Sequence, residues 1–361
     1  MPRGLALPVI VIGRSGRRVP GRVDWSHDES TEPGPLVRGE SADPGRRVAV
    51  RPTLVELIQA AEAGILLFGL TPPRLTAGPQ RMAEIAAVTT ARLSGIDIDG
   101  LVLYDIDDES DRNSEDRPFP YLPTADPADF YATYLTQWPR PVVIYRCVGK
   151  YEERNLADWL TSIDSGDVLG VFVGASSTSK QMLTDLPRAH ALHQQLRPEL
   201  TLGAVTITER HTVRTDEHLR MLAKQDRGCA FFVSQVVYDM DATKSLLSDY
   251  AYTCAERGVR PRPVIFTLAV CGSLKTLEFL QWLGVVVPRW VENDLRHADD
   301  PLTVSAEQCL RTARELLGFG RRLGVPVGFN VESVSNRRSE IEAAVGLAVE
   351  LRTMLDQAAP S

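Results

Sequence analysis

Cysteine is scarce and scattered in this chain. Its five cysteines, Cys147, Cys229, Cys254, Cys271 and Cys309, are odd in number and form no Cys-x-x-Cys pair. That pattern supports neither a disulfide framework nor a zinc knuckle, and it points to a reducing compartment, the cytoplasm. A basic excess is lacking too: 40 Lys and Arg against 47 Asp and Glu leave a formal charge of −7, the wrong sign for a surface that grips nucleic-acid phosphates. Leu5 to Gly13 is the one candidate signal core, but it follows a single arginine, is too short to span a bilayer and lacks a small-residue cleavage site, so neither export nor membrane attachment is expected. Gly-x-Gly-x-x-Gly and Walker loops are missing, as is any Cys/His or Ser/His/Asp nucleophile arrangement. Asp105, Asp107 and Asp108 stand together but lack the glycine and spacing of a calcium loop, so no metal is expected.

What the chain does have is a repeated alternation. Ile65–Leu70, Leu101–Ile106, Pro141–Cys147, Val168–Gly174, Leu200–Ile207, Cys229–Val236, Pro263–Ala269 and Val325–Val331 are short apolar runs separated by segments of helical spacing. Apolar runs of that kind suit strands buried on both faces, and eight of them joined by crossovers predict a parallel (β/α)8 barrel over residues 51–361. Residues 1–50 are expected to form an irregular extension, because 14–50 are rich in Arg, Gly, Pro, Asp and Glu with almost no apolar periodicity. Ser305-x-x-Gln308 has the form of a capping box opening the helix before the last strand. The acidic segment Asp105 to Asp126 follows the second strand, and a loop of that length is expected to be a lid, a binding loop or a solvated acidic loop.

Catalytic groups of such barrels gather where the strands end. The ends here offer Asp105, Arg146, Ser176, Glu209 and His211, Gln235 and Tyr238, and Asn330 and Glu332. This mixed polar rim fits an organic ligand with several hydrogen-bonding edges. Gln235 closes the apolar run Gly228–Val236, and its amide can pair with a heterocycle's N–H and C=O edge.

The segment Ser234-Gln235 to Asp239, followed by Val287-Pro288-Arg289-Trp290, resembles the methylenetetrahydrofolate reductase family, and a weaker likeness runs from about Leu66 to Glu332. The resemblance implies reduction of 5,10-methylenetetrahydrofolate to 5-methyltetrahydrofolate by NADH or NADPH, with Gln235 and Phe279 on the ligand and Lys224 near the cofactor phosphate. Of the strand-end residues, Tyr238, Ser176 and Asn330 are then expected to bind substrate, and Arg146 and His211 the cofactor. Two departures stand out. The first strand has Gly69 where the family carries its general acid, and the fourth ends Val173-Gly174-Ala175-Ser176 without the charged groups that hold FAD. Phe172-Val173-Gly174, Asp116-Arg117-Pro118 and Gly328 to Glu332 are more similar to the family's flavin-independent branch. Glu332 is then the substitute acid, with Asp105 and Glu209 in reserve. Another cyclic imine as substrate, or a folate-binding protein without catalysis, are the alternatives, and self-association is left open.

Overall fold

Eight parallel strands close on themselves in strict chain order: β1 (Leu66–Leu70), β2 (Gly100–Leu103), β3 (Val142–Cys147), β4 (Val168–Val173), β5 (Leu202–Thr206), β6 (Phe231–Val236), β7 (Val264–Ala269) and β8 (Val327–Glu332). This is the (β/α)8 barrel that the apolar runs predict, with each strand within two residues of its expected start. The computed structural model describes residues 51–108, 115–163, 166–174 and 182–358. The chain separates into two units, Met1–Val50 and Arg51–Ser361, and the first, with the expected irregular extension, lies outside the described residues. No helix among the described residues is long and apolar enough to cross a membrane.

Alternation along each strand sorts the side chains into two cores. Leu67, Val102, Val143, Leu169, Val171, Phe231, Val233 and Ile265 fill the barrel interior. Leu66, Phe68, Leu101, Leu103, Val142, Ile144, Phe232, Val264, Phe266 and Phe329 face the surrounding helices. Interior packing is complementary in size: a Cβ on Gly203 would stand 2.4 Å from the Phe231 ring on the neighbouring strand, so a small residue on β5 admits a large one on β6. The helix Leu54–Gln59 plugs the end where the strands begin. Thr53 and Glu56 form a reciprocal capping box at its start, and Leu54 and Ile58 join the interior core. Truncating either to alanine would cost about 2–5 kcal/mol.

The expected start at Ser305 is corrected. The helix before β8 runs Pro301–Leu323, with Asp300 capping its first turn and proline at its start. Asp-Pro satisfies one orphan N–H and needs no second. Ser305 instead lies buried inside the helix, where its Oγ accepts from Cys271 N at 2.8 Å.

Candidate functional site

Because inward and outward residues alternate, the last inward positions of the strands line the mouth of the barrel. Gly69 on β1 stands in register with Glu332 on β8. Gly69, Tyr104, Tyr145, Gln235, Thr267, Asn330 and Glu332 belong to this inward set by parity. Tyr104 and Tyr145 meet edge to face, with ring centroids 5.0 Å apart. A Cβ on Gly69 would lie 2.9 Å from both Cε2 and Oη of Tyr104. The glycine is thus the space that the tyrosine ring occupies.

Tyr104 Oη accepts from Asn330 Nδ2 at 2.7 Å, and Asn330 Nδ2 also donates to Thr267 Oγ1 at 3.3 Å. Burial pushes the Glu332 carboxyl up to about 7, against a smaller opposing effect from hydrogen bonding with Tyr104. Tyr104 itself is held well above its ordinary range, first by burial and then by the Glu332 charge. At neutral pH this carboxyl is therefore poised between its acid and its base form, as proton transfer requires.

The other two acids are committed differently. Asp105 is buried and ion-paired with Lys150 at 2.5 Å, and its Oδ2 accepts from Cys147 N at 2.7 Å. Lys150 is raised in turn: burial depresses it, but Asp105 outweighs the burial. Glu209 is raised by burial, and its carboxylate accepts from Val286 N at 3.4 Å and Thr208 Oγ1 at 3.2 Å. Glu332, at an inward strand position beside the Tyr104 hydroxyl, has no ion-pair partner among the described residues.

The acidic segment after β2 is anchored at both ends. Tyr151 Oη lies 2.9 Å from Asp105 Oδ2 and 2.9 Å from Asp126 Oδ2. Arg146 binds both oxygens of Asp126 at 2.7 Å, and its guanidinium lies 4.3 Å from the Tyr151 ring centroid. Burial would raise Asp126, but Arg146 and Tyr151 hold it below the usual carboxylate range. Further along, Phe119 packs edge-on to Phe279 at 5.2 Å, Arg117 lies 5.0 Å from the Phe279 ring, and Trp282 Nε1 donates to Glu115 O at 3.0 Å. The segment thus reaches the helix Leu274–Trp282 that follows β7. β1 and β8 stand between β2 and β7 in the ring.

Gln235 is half-buried at the end of β6, its Nε2 donating to Leu283 O at 2.9 Å. Phe279 is a docking partner of the acidic segment. Several of the residues expected to contact ligand have internal partners. Tyr238 is buried and donates to Ala269 O at 2.9 Å. Asn330 is wholly buried and reaches the mouth through Tyr104. Lys224 donates to Val205 O at 2.6 Å, with Glu217 4.0 Å away. Arg146 is engaged by Asp126, and His211 by Asp249 at 3.0 Å, on a surface cleft of about 670 Å³ that Lys244 and Asp241 also line. Ser176 lies outside the described residues. Tyr104, Tyr151, Asp126 and Thr267 were not foreseen as members of the site. The signal for Tyr104 was Gly69, since a glycine inside an apolar strand marks a close approach.

Fold and site together define a (β/α)8-barrel protein with a half-buried acid beside phenols at the mouth. No protein-family model and no curated protein matches the chain. Among solved structures, an uncharacterized protein from Clostridium thermocellum that binds two copies of 5-methyl-5,6,7,8-tetrahydrofolic acid is 40% identical, over 83% of this chain and 99% of that one, with a TM-score of 0.75. The chain belongs to the same family as that protein. Dihydropteroate synthase from Anaplasma phagocytophilum, with bound 6-hydroxymethylpterin-monophosphate, is 9% identical over 81% of this chain and 99% of that chain. Its TM-score of 0.41 is too low to carry anything about the site.

Proposed function

We propose that this barrel binds a reduced folate at its mouth and reduces 5,10-methylenetetrahydrofolate to 5-methyltetrahydrofolate, with NADH or NADPH as hydride source and without flavin. The observation that carries the reading is the family member that holds 5-methyltetrahydrofolate, the product of this reaction. The methylene carbon of the substrate bridges two nitrogens. Opening the bridge breaks one carbon–nitrogen bond, and the departing nitrogen takes a proton while an iminium remains on the other. The reduced nicotinamide supplies the hydride that converts this iminium carbon to a methyl group. Glu332 is the proton donor, since its carboxyl is raised to about 7 and it lies at the end of β8 beside Tyr104.

Gln235 is the residue for a flat heterocycle. With Nε2 bonded to Leu283 O, its carbonyl oxygen is left for an incoming N–H, which suits a nicotinamide carboxamide or a pterin edge. A flavin has less to hold it, because β4 closes on Val173 and Gly174, which offer no charged group. Asp105 and Glu209 serve as anchors in this reading, Asp105 fixing the acidic segment to β3.

A second reading, folate binding without turnover, is favoured by the two copies that the family member holds. Mixing the protein with 5,10-methylenetetrahydrofolate and NADH or NADPH, and following nucleotide absorbance, separates the two. Stoichiometric oxidation of nucleotide with formation of 5-methyltetrahydrofolate is expected, from a protein whose visible spectrum lacks flavin. Tight binding of 5-methyltetrahydrofolate with no oxidation of either nucleotide would overturn the reductase reading and leave the second.

A further inference from the structure

The hydrogen bonds beneath Glu332 have a direction that the chemistry of their atoms fixes. Thr267 Oγ1 lies 2.7 Å from Ser234 O, a carbonyl that can only accept, so the single threonine proton is spent there. The threonine oxygen must then accept from Asn330, which places Nδ2 rather than Oδ1 toward it at 3.3 Å. The second proton of the same amide goes to Tyr104 Oη at 2.7 Å. Asn330 Oδ1 is left buried with no hydrogen-bond partner among the described residues, which is the cost of holding the amide in this orientation. The chain therefore runs from β8 both to a backbone carbonyl on β6 and to the phenol of Tyr104, whose own proton is not used by Asn330 or Thr267.

Nor can Tyr104 turn away easily. Its ring lies edge-on to Tyr145, at 5.0 Å between centroids, and its hydroxyl lies 2.9 Å from where a Cβ of Gly69 would stand.

We propose that Tyr104 is the positioning residue of this site: the chain from Thr267 through Asn330 commits its hydroxyl proton to Glu332, so that the acid's own proton stands on the oxygen that Tyr104 does not hold. The proposal rests on the reading of Glu332 as proton donor. The titratable groups that bear on Glu332 are Tyr104 and Tyr145, both held above the ordinary tyrosine range by burial and by the Glu332 charge, and both protonated across the working pH range. An ionised Glu332 accepts the Tyr104 proton, so losing the hydroxyl destabilises the charged form and raises the carboxyl further.

Infrared difference spectra of the substrate-free protein, taken through a pH titration, test this. The Glu332 carboxyl band is identified by its loss in Glu332→Gln. Tyr104→Phe should move its midpoint upward by about one pH unit, and Thr267→Val should move it in the same direction by less. In turnover, Tyr104→Phe should lower kcat about tenfold or more, leave KM within about twofold, and carry the alkaline limb of the pH profile, where the donor loses its proton, upward with the infrared midpoint. A band that titrates near neutrality but is unmoved in both variants would overturn the role of Tyr104 while leaving Glu332 as acid. No titrating band near neutrality would remove Glu332, and the proposal with it. Should Tyr104→Phe fail to fold, Thr267→Val alone decides, and an unmoved midpoint there counts against the chain.

Discussion

Replacing Glu332 by glutamine should stabilise the protein in alkaline solution and do little in acid. The carboxyl is raised to about 7 from an ordinary 4.5 by burial, opposed in part by Tyr104. A carboxyl raised on folding favours the protonated native state. Its contribution is fully present below pH 4.5 and is lost as pH rises through about 7, because folding then has to strip water from a charge. At about 1.4 kcal/mol per tenfold, the gap amounts to roughly 3 kcal/mol above pH 8. Glu332 keeps some solvent access, which trims this to about 2 kcal/mol. Glutamine has nearly the same shape, keeps an acceptor for the Tyr104 hydroxyl and never ionises. Urea unfolding of both proteins from pH 5 to pH 9 measures the difference, and subtraction cancels other carboxyls that burial raises, such as Asp99 and Glu209. The difference should be no more than about 0.5 kcal/mol at pH 5 and climb to about 2 kcal/mol in favour of the glutamine by pH 9. A difference that stays flat across the range would refute the claim that Glu332 is protonated well above the usual carboxyl range.

Gly69→Ala should mimic the loss of Tyr104 positioning, since the new Cβ would stand 2.9 Å from the tyrosine ring and hydroxyl; about 1–3 kcal/mol of stability and at least tenfold in kcat are expected, measured by denaturation and turnover. Tyr151→Phe removes the hydroxyl that lies 2.9 Å from both Asp105 and Asp126, and should cost about 1–3 kcal/mol with faster proteolysis between residues 105 and 126. Phe279→Ala empties the ring against which Phe119 and Arg117 pack and should raise the KM for folate several-fold, with a loss of about 2–4 kcal/mol. His190 is depressed to about 4 from 6.5, first by burial and then by Arg227. Its contribution is therefore present above pH 6.5 and lost as pH falls toward 4, and His190→Gln should flatten that part of the acid-unfolding curve.

Why the barrel is legible and its mouth only partly so follows from the range of the forces involved. A strand buried on both faces must be apolar along its whole length, so β3, β6 and β7 declare themselves locally, and the order of eight such runs leaves few topologies. Gln235 and Glu332 are legible for a related reason: a polar side chain at the inward end of such a run has only the mouth to face. Tyr104 is different. It follows Leu101, Val102 and Leu103 and reads as one more apolar strand residue, because its partners, Asn330 on β8 and Gly69 on β1, are brought to it by ring closure and register. The sequence showed Gly69 as a missing acid. In the folded chain that missing side chain is the volume a phenol fills, and Glu332 stands in register with the glycine on β8. Tyr151 and Asp126 escaped notice on the same grounds, since a clasp between residues 25 positions apart along the chain exists only once β2 and β3 lie side by side. Local composition therefore points to the polar residues that reach the mouth, while their partners and protonation depend on contacts between strands far apart along the chain. The shift of Glu332 measured against Tyr104→Phe is a direct reading of one such contact.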